Sequence, residues 1–192
     1  MTSDHDPGRR NVMAALVAGS AQAAAHGSET PALPSKTLVA YFSRSGNTRV
    51  VAGVIQRARN AQLFEIVPSP AYPEDYLATV AQARKERDAG FEPALATRAT
   101  NLAACDTLFL GFPIWGETAP PVIRAFLAAH DLSGKTLIPF ITHGGYGPGN
   151  SRAVLARHAP NAHLREGFVI EMDQERRTME RVTQWLGGAG VQ

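Results

Sequence analysis

From Thr37 onward, short apolar runs alternate with longer stretches whose apolar residues recur at helical spacing. The short runs cover residues 37–42, 63–67, 107–112, 136–141 and 167–170, and four of them alternate little between apolar and polar. Such runs predict strands buried on both faces of a parallel sheet. The stretches between them predict amphipathic helices. Val50, Val51, Val54 and Ile55 follow Thr48; Tyr76, Leu77, Val80 and Ala81 form a second face; Val122, Ile123, Phe126 and Leu127 a third; Met179, Val182, Trp185 and Leu186 the last. Each face is expected to turn toward the sheet. Pro120-Pro121 suits a helix start, where a missing N–H costs nothing, and Gly187-Gly188 suits a helix end. Steady β–α alternation predicts a doubly wound α/β sandwich of three layers, with five parallel strands in the order 2-1-3-4-5. Residues 90–101 have weak periodicity and read as a loop. Arg84-Lys85-Glu86-Arg87-Asp88 reads as the solvated end of the second helix. Pro139 falls inside the fourth strand, where a local bulge is the expected remedy for the lost ladder bond.

The 192 residues suffice for one domain with a full core. The first 25 follow a different plan. Arg9-Arg10 precede a mildly apolar run from Val12 to Ala18 and a small-residue site, Ala21-Gln22-Ala23. This is the layout of a secretory signal, with an apolar run too short to span a bilayer. The paired arginines resemble a twin-arginine signal, which addresses folded proteins for export. Gly8 stands where such signals usually carry Ser or Thr, and Val12-Met13 where Phe-Leu is commoner. The expected plan is a signal over 1–25, a leader over 26–36 and the domain over 37–192, with a periplasmic or otherwise exported location. The alternative is a plain N-terminal tail on a cytoplasmic protein.

The net charge of +2 is unaltered by cleavage, since Asp4, Asp6, Arg9 and Arg10 cancel. No basic block interleaved with aromatics points to nucleic acid, and no stable membrane insertion is expected. A lone Cys105 excludes an intramolecular disulfide and reads as a small buried hydrophobe. The six histidines lack metal-ligand spacing, so no metal site is expected.

The candidate chemistry begins where the first strand stops, at Ser43-Arg44-Ser45-Gly46-Asn47-Thr48. A strand, a hydroxyl-rich turn and a helix N-terminus together make an anion site. Unpaired N–H groups converge there, the helix dipole adds roughly half a positive charge, and hydroxyls supply further donors. The loop lacks the Gly-Lys-Ser/Thr ending of a nucleoside-triphosphate loop and suits a terminal phosphomonoester. A simple helix cap is the alternative.

In a 2-1-3-4-5 sheet, ligands lie at the carboxyl ends of the strands where the order reverses. The loops expected there are Pro113-Ile114-Trp115-Gly116-Glu117 after strand three and Thr142-His143-Gly144-Gly145-Tyr146-Gly147 after strand four. Each sets one aromatic among glycines, which suits a flat conjugated ring carrying a phosphate. The N–H groups of Gly144, Gly145 and Gly147 could meet the polar edge of that ring. For Tyr146 the alternative is an ordinary surface tyrosine, and His143 reads as a loop residue rather than a base.

Taken in order, these motifs resemble flavodoxin over most of the chain, from Thr37 to about Leu186. The family's Thr/Ser-x-Thr-Gly-x-Thr reads here as Ser43-Arg44-Ser45-Gly46-Asn47-Thr48, its Trp-Gly-acid loop as Trp115-Gly116-Glu117, and its following Tyr as Tyr146. The resemblance implies a tightly but non-covalently held FMN. Ser43, Ser45, Asn47 and Thr48 would hold the phosphate, while Trp115 and Tyr146 would flank the ring. Gly116 would be the residue whose peptide turns over on reduction. Glu117 would disfavour the reduced anion by repulsion, weakly, because the loop is exposed and screened. Typical flavodoxins are strongly acidic, whereas this chain carries +2, so their usual docking logic does not transfer.

The function expected from these residues is electron transfer through FMN, to a redox partner protein or a small-molecule acceptor. The alternatives are an NAD(P)H or quinone oxidoreductase of the same fold and a cofactor-free interaction module. A phosphoacceptor receiver domain would need an acidic cluster at the ends of strands one and three, and Phe42-Ser43-Arg44 and Phe112-Pro113-Ile114 supply none.

Overall fold

The computed structural model describes residues 35–172 and 175–188. The proposed export signal, and all but the last two residues of the proposed leader, lie outside them. The order is β1 (Thr37–Tyr41), α1 (Asn47–Ala58), β2 (Gln62–Glu65), α2 (Tyr76–Asp88), a 3-10 turn (Thr100–Ala104), β3 (Thr107–Pro113), α3 (Pro121–Ala128), β4 (Thr136–His143), α4 (Ser151–His158), β5 (His163–Leu164), β6 (Phe168–Glu171) and α5 (Glu175–Gly188). All strand pairs are parallel, in the order β2-β1-β3-β4-β5, with β6 also on β4. The expected order therefore holds, but the fifth position is split in two.

Pro139 explains the split. The carbonyls of Lys135, Leu137 and His143 accept from His163, Arg165 and Met172 on the outer side of β4. By alternation the missing N–H of Pro139 faces that same side. The outer strand breaks opposite it, between Leu164 and Phe168. Gly167 lies so close that a Cβ there would meet the Pro139 carbonyl oxygen at 2.4 Å. β4 itself needs no bulge, since its register with β3 runs unbroken through Leu110 and Pro139.

Side chains alternate across the sheet to build two cores. Leu38, Ala40, Leu108, Leu110 and Leu137 pack under α3 and α4 with Val122, Ile123, Phe126 and Leu155. Val39, Tyr41, Phe109, Ile138 and Phe140 pack under α1 and α5 with Val51, Ile55, Val182 and Leu186. The expected faces of α1 and α3 are thus inward, except that Val50 is exposed, and Val182, Trp185 and Leu186 of α5 pack inward as well.

α2 overturns its expectation. Tyr76, Leu77 and Val80 are 64%, 73% and 46% exposed, and neither core contains an α2 residue among those described. The inward face is Thr79, Ala83 and Glu86. Asp75 sets that rotation by capping the helix, its Oδ1 accepting from the Ala78 N–H at 2.7 Å. The Thr79 hydroxyl adds a bond to the Pro73 carbonyl at 2.6 Å.

Among the described residues, no helix is long and apolar enough to cross a membrane. Residues 90–99 form a loop with one isolated bridge, between Leu95 and Pro68.

Candidate functional site

The loops after β1, β3 and β4 meet at one end of the sheet and wall a cleft of about 720 Å³, a size typical of small-ligand sites. Hydrogen bonds between loops fix its floor. The Ile114 N–H donates to the Thr142 carbonyl at 2.8 Å, and the Asn150 N–H to the Glu117 carbonyl at 3.0 Å. Buried Thr48 and Thr142 share a hydroxyl–hydroxyl bond of 2.9 Å, joining the first turn of α1 to the end of β4.

At the α1 end, Gly46 adopts φ +93° and opens a helix with no side-chain cap and no acidic residue in its first turn. Its leading N–H groups are therefore left for an external acceptor. Ser45, Asn47 and Arg44 line the cleft. Ser43 works from inside the loop, its hydroxyl oxygen accepting from the Gly46 N–H at 3.1 Å. Arg44 is turned toward α2, donating to the Glu74 carbonyl at 2.6 Å and lying over the Tyr76 ring.

The aromatic end is built on a tight turn. Trp115 and Thr118 pair across it, and Gly116 and Glu117 between them adopt φ +57° and +62°. Two successive left-handed residues are the mark of the turn that best matches strand twist, and glycine takes that conformation without strain. Trp115 lines the cleft and also packs edge-on against Phe42 (5.2 Å) and Tyr72 (4.9 Å). Core packing and ligand lining are thus shared by one ring. Tyr146 lines the opposite side and is 84% exposed.

Pro113, Ile114, Gly116, Glu117, Thr142, His143 and Gly144 complete the expected lining, whereas Ser43, Gly46, Thr48, Gly145 and Gly147 stand behind it. One expectation is corrected. The N–H groups of Gly145 and Gly147 do not point at a ligand; both donate to His143 Nδ1, at 3.1 and 3.2 Å. His143 Nδ1 therefore serves as an acceptor that organises the loop.

The third wall was not expected. Tyr76, Thr79, Val80, Ala83, Arg84 and Arg87 of α2 all line the cleft. Arg87 donates from Nη1 to the Gly116 carbonyl at 3.3 Å. Its neighbour Glu86, only 7% exposed, accepts from the Tyr72 hydroxyl at 2.7 Å and from Gln82 at 2.8 Å. Burial, then the bond to Glu86, push the Tyr72 phenol well above its ordinary pKa. Tyr72 stays a neutral donor and braces Trp115 from behind. Arg124 of α3 ties this corner down through the carbonyls of Glu86 and Phe91. Within the run read as a solvated helix end, Arg84, Lys85 and Asp88 are exposed as expected, whereas Glu86 and Arg87 brace the aromatic turn. A hydrophobic-periodicity signal could not find it, because its contacting residues are charged.

The cleft thus joins an anion-ready helix N-terminus to an apolar slot between Trp115, Tyr146, Tyr76 and Val80. That combination fits a planar ring bearing a phosphate. Among the described residues no His/Cys/Asp/Glu group could hold a metal ion, and buried Cys105 has its thiol pushed up by burial.

No curated protein matches this chain. Among solved structures, a protein described as a flavoprotein from Bacteroides eggerthii is 32% identical, with TM-score 0.71 over 81% of this chain and 98% of its own. Another from Bacteroides uniformis is 30% identical, with TM-score 0.69 over 79% and 99%. A flavoprotein from Lactobacillus acidophilus, solved in complex with FMN, shares the fold at 18% identity and TM-score 0.63 over 78% and 99%. A family model described as flavodoxin matches residues 36–188. That match spans every strand and helix from β1 to α5, and with it this chain belongs to the flavodoxin family.

Proposed function

We propose that this chain is an electron-transfer flavoprotein. FMN is its cofactor, on the strength of family membership, and when bound it supplies one- and two-electron redox chemistry. The observation that carries the reading is one continuous cleft running from the uncapped start of α1 to the Trp115–Thr118 turn. Ser45, Asn47 and the first N–H groups of α1 would hold the phosphate, with Ser43 and Thr48 shaping the loop. Trp115 and Tyr146 would hold the ring and exclude water from its faces. The protein's own part is position and electrostatics; no side chain is asked to take or give a proton.

The exposed apolar wall at Tyr76 and Val80 favours a second reading, a reductase that admits a small-molecule acceptor beside the ring. The purified chain should be yellow and release FMN on denaturation; a colourless chain that refuses added FMN would sink both readings. Steady NAD(P)H oxidation with a quinone would then favour the reductase, and its absence the carrier. The signal-like residues 1–25 make export the proposed fate, and N-terminal sequencing of the mature protein should find cleavage after Ala23 or Ala25.

A further inference from the structure

We propose that Arg87 is a positioning residue that holds the Trp115–Thr118 turn and raises the redox potential of the flavin, an inference that rests on FMN occupying this cleft. The guanidinium is held in one orientation by a fork of contacts. Nε and Nη2 lie 2.9 and 2.8 Å from Asp88 Oδ1, and the remaining nitrogen, Nη1, donates to the Gly116 carbonyl. Its side chain is 34% exposed, so the charge sits partly shielded in the wall. The other two arginines of the cleft are placed differently. Arg44 is drawn off to the Glu74 carbonyl and the Tyr76 ring, and Arg84 is 75% exposed.

Arg87 and residue 116 are fitted to each other. A Cβ at Gly116 would meet Nη1 at 2.4 Å, so the glycine serves the guanidinium's approach as well as the positive φ. The bond also steadies the turn that carries Glu117, the one acidic side chain lining the cleft among the described residues.

The electrostatic consequence has a definite sign. With FMN bound, two electrons from an external reductant and one proton would leave the ring with a negative charge. The Arg87 cation in the wall of the cleft would stabilise that charge and so raise the potential. Asp88 opposes the effect, because it neutralises part of the guanidinium charge. Removing Arg87 and removing the Asp88 charge should therefore move the potential in opposite directions. A purely structural brace gives no such pair of signs.

The test is the midpoint potential of the FMN-loaded full chain by dithionite titration against reference dyes, for the wild type, R87Q, R87K and D88N. R87Q should shift the ratio of reduced to oxidised protein about tenfold toward oxidised at a given potential, about 30 mV for a two-electron couple. R87K should recover most of that shift, and D88N should shift the ratio severalfold the other way. Equal potentials in R87Q and the wild type, or a D88N shift of the same sign as R87Q, overturn the inference while leaving the flavoprotein reading intact. Should R87Q fail to retain FMN, R87K and D88N still decide it. A wild-type chain that takes up no FMN overturns both.

Discussion

α1 and α2 flank the same cleft, yet one obeys its hydrophobic pattern and the other inverts it. α1 buries Val51, Val54 and Ile55 against the sheet and offers its N-terminus to the ligand. α2 buries Thr79, Ala83 and Glu86 and leaves Tyr76, Leu77 and Val80 outside. The difference lies in what each helix is packed against. α1 lies flat on β1, β3 and β4, where burial of apolar area dominates. α2 sits at the edge of the sheet and faces a polar corner, Tyr72 and Arg124, on one side and the cleft on the other. Apolar residues at helical spacing mark a surface to be covered, and in α2 that surface partly borders a ligand site rather than the core.

The largest contrast should come from matched truncations. Ile55→Ala empties a fully buried site and should cost about 3 kcal/mol. Leu77→Ala should stay within about 0.5 kcal/mol, as an exposed substitution does. Urea unfolding without added FMN measures both, since bound ligand adds its own stabilisation. A large loss at Leu77 would mean that α2 is turned inward after all.

Next comes the brace. Glu86→Ala leaves the half-buried Tyr72 hydroxyl without its acceptor and should cost about 1–3 kcal/mol. It should also change the near-ultraviolet circular dichroism of Trp115, whereas an exposed glutamate at a helix end would do neither. A smaller effect is expected at the tie between the two loops. Thr48→Val removes one partner of the buried Thr48–Thr142 bond and should cost about 1 kcal/mol, with weaker FMN binding in a fluorescence titration. Adding Thr142→Val should cost little more, because the interaction is already gone.

The smallest effect is the part of the alkaline pH dependence that Tyr72 adds to the parts from Tyr41 and Cys105, whose pKa values burial also raises. The folded Tyr72 phenol is held above the ordinary value of 10.0, so its contribution is fully present below that pH. As pH rises past 10.0 the unfolded chain loses the proton first, and stability falls. Tyr72→Phe should flatten that decline in denaturation curves collected between neutral and alkaline pH. An equally steep decline in the variant would assign it to other groups.

Much of the molecule was legible because its signals are local. Strand runs 37–42, 107–112 and 136–141 became β1, β3 and β4 within a residue or two, and the loops after them met as the strand order requires. The phosphate-type loop and Trp115 were readable for the same reason, since each is a short motif at a strand end. Pro139 was visible as an anomaly, but its remedy lay in a different strand. Gly145 and Gly147 were placed in the right loop with the wrong partner for their N–H groups, because N–H direction depends on loop conformation rather than composition.

By itself, then, the chain's pattern determined the layered sheet, its strand order and the three loops where chemistry gathers. These follow from periodicity and from the turn preferences of glycine, proline and hydroxyl residues, which act over a few positions. Only the tertiary structure decided which face of α2 points inward, which partners Glu86 and Arg87 take, and how the outer strand yields to Pro139. Those outcomes turn on contacts between residues far apart in sequence, such as Arg87 with Gly116 and Tyr72 with Trp115. There the hydrogen bonds of the buried Glu86 carboxylate and of the partly exposed Arg87 guanidinium outweigh the few apolar side chains left uncovered.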